Sequence, residues 1–361
     1  MQTTQMVHPF HIHIDAMERL LLINFEEDPD TTYVGFEPQV FDDPVNGTGH
    51  LIIGWRQDGR VDVFHQPGLH LDAQKYDIAG KGLADMVERD IVGAYEIDDF
   101  GVQAHYEFRD LHDRFITLHI REQHPRVRKP FGLLAPMGAV ASAPSALPLV
   151  LLHDFYFVRK QHTVIHIIID GRRHQPDQLP LPIDRVWMYF TRYCPRPLIA
   201  TFNPAHDGAL APVNVEVDAA EVTVGETTLA LEWTEGRPAL RRLTRHNPVY
   251  PLALRLDPAF PDLHTLSADV RIVGNFEIAG HPSTGLVAGD YAIEKRAEHI
   301  DITLRPSRGW QPRPSKVSLY FLYMVAGIFK QWPTTYEWTA RIQADEAGVY
   351  TLRSAWRRIA G

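Results

Sequence analysis

The sequence predicts an all-β protein of two antiparallel barrel or sandwich domains packed side by side, with few short helices. Three observations carry this. Apolar and polar residues alternate with period two over short runs, from HLIIGW (50–55) to VYTLRSAWRRI (349–359), the signature of half-buried strands. Between the runs sit turn dipeptides, DG at 58–59 and 170–171 and EG at 235–236, which supply the positive φ that tight hairpins need. Amphipathic helical windows are scarce, LADMVERDIV (83–92) being the best, so the crossover helices of a βαβ fold are missing. At 361 residues the chain exceeds what one core usually holds, and two domains are expected.

In chain order, HPFHIHID (8–15) comes first. On a strand His11, His13 and Asp15 share one face. An H-x-H pair also occurs in amidohydrolase zinc sites, but those need a barrel of alternating strands and helices, and no H-E-x-x-H or C-x-x-C spacing is present. The run is read as a histidine-bearing strand at a pocket rim, with no metal expected. RVDVFH (60–65), IVGAYEID (91–98), GVQAHYEF (101–108) and RFITLHIRE (114–122) read as further strands. FGLLAPMGAVASAPSALPLVLL (131–152) carries no charge, yet Pro136, Pro144 and Pro148 break the helix that a bilayer demands, so no membrane span is expected. It reads as an apolar crossover packed between domains, a lid over a greasy ligand, or a membrane-touching loop.

LVLLHDFYFVRKQHTVIHIIIDG (149–171) is the densest region and reads as a hairpin turning at RKQ. On its first strand Asp154 and Tyr156 share a face, with His153 on the other. On its second, His162, His166 and Asp170 share a face with Val164 and Ile168. A carboxylate among apolar neighbours is a candidate general acid, and a buried histidine is a candidate base. The candidate catalytic residues are therefore Asp154, His166, His153 and Tyr156. The equally simple alternative is a satisfied core histidine beside a surface-edge aspartate.

RVWMYFTRYCP (185–195) follows, with Trp187, Tyr189 and Thr191 alternating onto one face. Aromatic rings there either fill the core or line a pocket with π faces. Trp187, Tyr189, His162, Arg192, Tyr320 and Trp338 are the candidate substrate-binding residues. The Pro-rich stretches 174–184 and 203–212 are the two candidate boundaries. The second is preferred, because RVWMYFTRY and PLIATF complete the first half. The domains are then 1–205 and 206–361. Strand runs continue through VNVEV (213–217), TTLALEW (227–233), ALRRLTR (239–245), DVRIVGNFEI (269–278), DYAIEK (290–295), HIDITLR (299–305), KVSLYFLYM (316–324) and YEWTARIQ (336–343).

A net charge of −9 argues against a nucleic-acid partner, since phosphate binding needs clustered Lys and Arg. The one cysteine, Cys194, excludes an intramolecular disulfide, and MQTTQMVHPF has neither a basic nor an apolar leader segment. Both point to the cytoplasm. No G-x-S-x-G elbow, P-loop or dinucleotide fingerprint occurs, and no cofactor is expected. Arg192 and Arg196 flank Cys194, which is read as structural.

The chain length, the all-β halves and the segment HTVIHIIIDGRRHQP…RVWMYFTRY resemble the two-domain lipocalin-like (calycin) proteins of the carotenoid 1,2-hydratase and AttH-like type, and more distantly tocopherol cyclases. The resemblance implies paired barrels, an apolar cavity, and cofactor-free chemistry on a polyene, terpenoid or polyketide. Two functions are open at this point. One is a cofactor-independent lyase, isomerase or cyclase acting by acid–base chemistry on a hydrophobic small molecule. The other is a non-catalytic lipocalin-like carrier of such a ligand. A metal-dependent hydrolase built on His11 and His13 is a third, weaker one.

Overall fold

The computed structural model describes residues 2–15, 17–73, 82–138, 141–325, 327–345 and 348–359. Its strands, in order, begin with β1 (Thr3–Met6), β2 (Ile12–Asp15), β3 (Arg19–Asn24), β4 (Tyr33–Asp43), β5 (Gly47–Arg56), β6 (Val61–His65) and β7 (Leu83–Glu88). Next come β8 (Val92–Ile97), β9 (Val102–Arg109), β10 (Phe115–Glu122), β11 (Phe131–Ala135), β12 (Leu147–Arg159), β13 (Thr163–Ile169) and β14 (Arg172–His174). β15 (Met188–Cys194), β16 (Leu198–Phe202), β17 (His206–Ala209), β18 (Val213–Glu216), β19 (Glu221–Val224), β20 (Thr227–Thr234) and β21 (Arg237–Arg245) follow. The last are β22 (Leu252–Pro261), β23 (Arg271–Ala279), β24 (Leu286–Lys295), β25 (Ile300–Gln311), β26 (Tyr336–Ala344) and β27 (Tyr350–Arg358). Two short helices, α1 (Val317–Val325) and α2 (Gly327–Gln331), interrupt the run between β25 and β26.

The protein is therefore all-β with few short helices. One ten-stranded sheet runs β2-β16-β12-β15-β3-β4-β5-β6-β7, with β11 paired to β12. A five-stranded sheet, β14-β13-β10-β9-β8, covers part of it. The apolar faces of the two meet in a core that includes Phe36, Phe64, Tyr106, Phe108 and Ile167. The second ten-stranded sheet, β17-β27-β26-β25-β24-β23-β22-β21-β20-β19, is an antiparallel meander that curls into a half-barrel. Strand membership changes from the first sheets to this one between Phe202 and His206, while β1 reaches across to pair with β18.

A second core is shared by both halves, joining Leu134, Leu147, Leu149 and Phe202 to Leu254, Trp338 and Trp356. The uncharged 131–152 segment, apart from 139–140, which lie outside the described residues, is laid against the half-barrel. Its carbonyls accept from aromatic donors of the second half: Tyr323 Oη to Gly132 O at 3.0 Å, Tyr336 Oη to Ala141 O at 3.0 Å, and Tyr250 Oη to Leu151 O at 3.1 Å. An irregular, proline-broken chain leaves carbonyls that need outside donors, and these rings provide them.

Three expectations are corrected. LADMVE (83–88) is a strand, β7, parallel to β6, with Val63 opposite Met86. The apolar spacing of LADMVERDIV (83–92) matches a helix, but a ten-residue window forms one only at high nucleation cost, and the free edge of β6 offers ladder hydrogen bonds instead. The run after Lys316, read as a strand, is helix α1. A continuous apolar run fits either period, and its two buried residues, Leu319 and Tyr323, stand one helical turn apart. Finally, 149–171 is not a hairpin. β12 pairs with β11, β15 and β16, whereas β13 pairs with β10 and β14 in the other sheet. Alternation sets which face a side chain takes but not which strand lies beside it.

Candidate functional site

The central element is β12, because it changes partner midway. Leu147–Leu151 pair with β16, and Tyr156 begins the ladder to β15. On that side the residues between them face the link Pro195–Arg196–Pro197 that joins β15 to β16. Two prolines in this link lack N–H groups, so a regular ladder cannot continue there. His153 and Asp154 fall in this gap, and successive side chains point to opposite sides of the strand.

On one side, Tyr156 Oη donates to Asp154 Oδ1. Arg196 lies 3.8 Å from Asp154 Oδ2 and is itself largely exposed. The Tyr156 ring stacks on Tyr193 with centroids 5.2 Å apart. The Arg128 guanidinium sits 4.1 Å over the Tyr156 ring and 5.6 Å from that of Tyr193. Arg128 Nε and Nη1 are buried with no hydrogen-bond partner. Behind this layer, Tyr193 Oη donates to Glu122 Oε2 at 3.2 Å, and Arg159 Nε donates to Glu122 Oε1 at 2.6 Å. Burial raises the Tyr156 phenol pKa above its ordinary value, and the bond to Asp154 raises it further. Burial likewise raises Tyr193 and Glu122, the latter opposed by Arg159. Tyr156 thus remains a protonated donor at neutral pH, with Asp154 as its acceptor.

On the other side, His153 meets the second half. Its ring lies 4.9 Å from that of His281 and 5.1 Å from that of Tyr250. His153 Nδ1 is buried without a partner. Burial lowers the His153 pKa, and the neighbouring His281 lowers it more, so the ring is neutral at pH 7. The amide of Ser283 donates to His281 Nδ1 at 3.2 Å, and Ser283 Oγ lies 2.7 Å from the same nitrogen. Nδ1 is therefore the acceptor and the His281 ring proton sits on Nε2.

Asp154 and Tyr156 are thus brought together on one side of β12 and His153 lies on the other, whereas His166 lies apart from all three. It sits on the outer face of the five-stranded sheet beside Val164, while Ile165, Ile167 and Ile169 point into the core. There it forms a row with His119 and His105, at 5.9 and 5.7 Å between successive rings. His162 occupies the turn after β12 at φ 58°, its ring 5.7 Å from His124. Trp187 is half exposed ahead of β15, and Tyr189 is partly buried with the Lys160 ammonium 5.7 Å from its ring. Arg192 donates to Asn24 Oδ1 at 3.1 Å, and burial lowers its pKa to about 10. Tyr320 is exposed on α1, and Trp338 is fully buried in the shared core. The Cys194 thiol is buried and its pKa is pushed up to about 12.

HPFHIHID contains strand β2, with His11 and His13 exposed and the side chain of Asp15 outside the described residues. Among the described residues no three His, Cys, Asp or Glu side chains converge to hold a metal. The residues that sequence reasoning missed are Arg128, Glu122, Arg159, Tyr193, His281, Tyr250 and Ser283. They come from separate segments, and nothing local in the sequence links them.

Among the described residues, clefts open to solvent include these. One, of about 470 Å³, lies over β21–β23 and is lined by Arg241, Arg255, Asp257 and Glu277 among others. The other, of about 500 Å³, is lined by Glu18, Arg19, Glu96, Asp98, Gln103 and Pro195. Pro195, in the link between β15 and β16, is part of this second lining. Compared with known proteins, the chain matches no family model, no curated protein and no solved structure. Among the described residues no helix is long and apolar enough to cross a membrane.

Proposed function

We propose that the protein is a cofactor-independent acid–base enzyme, a lyase, isomerase or cyclase, acting on a small apolar molecule that bears a carbonyl or anionic oxygen. The observation that carries this reading is the Asp154–Tyr156 pair beneath Arg128, whose Nε and Nη1 are buried and unpaired. Buried donors left without acceptors cost free energy that an incoming oxygen recovers, and guanidinium forks match such oxygens well. The Tyr156 and Tyr193 faces suit an unsaturated or apolar body. Asp154 takes a proton from the carbon next to the carbonyl whose oxygen is held; the C–H pair becomes a C=C bond and the carbonyl π pair moves onto the held oxygen. Returning the proton at another carbon gives isomerisation, and loss of a leaving group gives elimination. Tyr156 keeps Asp154 oriented throughout.

The test needs no knowledge of the product. Purified protein is incubated in D₂O with a panel of unsaturated terpenoid and polyketide ketones and acids, and deuterium uptake is read by mass spectrometry. Uptake by the wild type, lost in Asp154→Asn and strongly reduced in Arg128→Met, supports the reading. Undiminished uptake in Asp154→Asn removes the carboxylate from the chemistry. A ligand that co-purifies yet shows no exchange in the wild type replaces the enzyme with a carrier.

A further inference from the structure

Helix α1 is apolar on both sides, and its outward side is bare. Val317, Tyr320, Phe321, Met324 and Val325 are 86, 61, 47, 51 and 57% exposed. Their spacing is that of one helical stripe. The helix cannot roll this stripe inward, because the opposite side is already anchored. Leu319 and Tyr323 are buried, Tyr323 Oη holds Gly132 O, and the Tyr323 ring sits 5.1 Å from both Trp310 and Phe329. An apolar stripe presented this firmly marks an interaction surface.

Charge decides what covers it. The chain carries −9 overall, yet from Ile302 to Tyr336 there is no Asp or Glu, while Arg305, Arg308, Arg313, Lys316 and Lys330 fall within that span. Lys316 lies over the Phe131 ring at 4.3 Å, and exposed Lys129 stands two residues before Phe131. It also pairs with Asp184 at 2.7 Å, which ties the start of α1 to the turn bearing exposed Leu181 and Trp187. Arg313 and Lys330 are exposed on the segments before and after α1, and a two-fold contact between copies of this chain through the helix would set these cations against themselves. An anionic lipid surface complements them, and a basic-flanked helix with aromatic and aliphatic residues on its outer side fits the interfacial zone. We propose that α1 and its basic flanks dock the protein on anionic membranes, with the helix lying in the plane of the headgroups. This rests on the surface alone and is independent of the Asp154 chemistry.

The experiment is co-sedimentation of the full chain with phosphatidylcholine vesicles, with and without phosphatidylserine. The expected result is binding that requires phosphatidylserine and weakens as salt rises. It should drop at least about tenfold in Phe321→Ser/Met324→Ser and on the order of fivefold per cation in Arg313→Gln and Lys330→Gln. All of these side chains are exposed, so matching thermal unfolding of the variants will show the fold retained. Failure to bind either vesicle overturns the proposal, as does equal binding to both. A concentration-dependent dimer that Phe321→Ser abolishes also overturns it, by showing that a second copy covers the stripe.

Discussion

Gly132 tests the seam between the two halves. A methyl built on it falls 2.1 Å from the Ser283 carbonyl oxygen, 2.5 Å from the Ser283 carbonyl carbon and 2.7 Å from the Ser283 Cβ. Two of these three atoms are backbone, so no rotamer change relieves the clash. Carbon contacts settle at about 3.5 Å or more, so Gly132→Ala forces β11 and the 281–284 turn apart by at least ~1 Å. Overpacking of this kind costs ~1–3 kcal/mol. The separation also strains the Tyr323–Gly132 hydrogen bond, worth about another 1 kcal/mol, and moves His281 away from His153. We expect Gly132→Ala to lose about 2–4 kcal/mol in urea unfolding followed by tryptophan fluorescence, with the slope against urea unchanged. Gly327→Ala is the control, since nothing lies within 4 Å of its added methyl, and it should be neutral or slightly stabilising. If Gly132→Ala unfolds within about 0.5 kcal/mol of the wild type, the close packing of Ser283 on β11 is wrong.

Stability should fall on mild acidification before the carboxylates titrate. Burial lowers the pKa of His50, His119, His124 and His153, and that of His8 to about 4. The unfolded chain then binds more protons than the folded one between the folded values and about 6.5, so stability is complete above that pH and is lost as pH falls toward 4. His8 alone accounts for at most ~3 kcal/mol of this slope, and urea midpoints measured for His8→Gln should flatten it; an unchanged slope removes His8 as a contributor. Arg159→Met leaves Glu122, whose side chain is fully buried, without its cation, and should cost ~3–5 kcal/mol. Adding Glu122→Gln should recover part of that loss in a double-mutant cycle, and strictly additive losses would show that the two side chains do not interact.

The strands were legible because alternation is local. So were several turns: Asp170 and Gly171 take φ 49° and 79°, and Glu235 and Gly236 take 52° and 73°, the positive values expected of such dipeptides. The Asp154–Tyr156 pairing was legible for the same reason, since positions two apart share a face. The same rule does not decide for His166. Each strand has two faces, and β13 offers Ile165, Ile167 and Ile169 on one against Val164, His166 and Ile168 on the other. The more apolar set goes inside, and that comparison was available in the sequence. What local reasoning could not reach was partnership: which sheet β13 joins, or that Arg128 covers Tyr156.

The seam explains why 131–152 does not behave as a separate lid. A segment with three prolines and no charge cannot satisfy all its carbonyls by strand pairing, so some must be satisfied from elsewhere. Tyr250, Tyr323 and Tyr336 do this from the half-barrel, and Trp356 Nε1 does the same for Asn203 O at 2.9 Å. Each of these donors sits in the shared core. Opening the segment would therefore strand buried carbonyls and indole or phenol groups together. That cost couples the two halves, and it holds the turn carrying His281 and Ser283 against the strand carrying His153 and Asp154. The geometry of the candidate site is thus maintained by the second half even though most of its side chains come from the first.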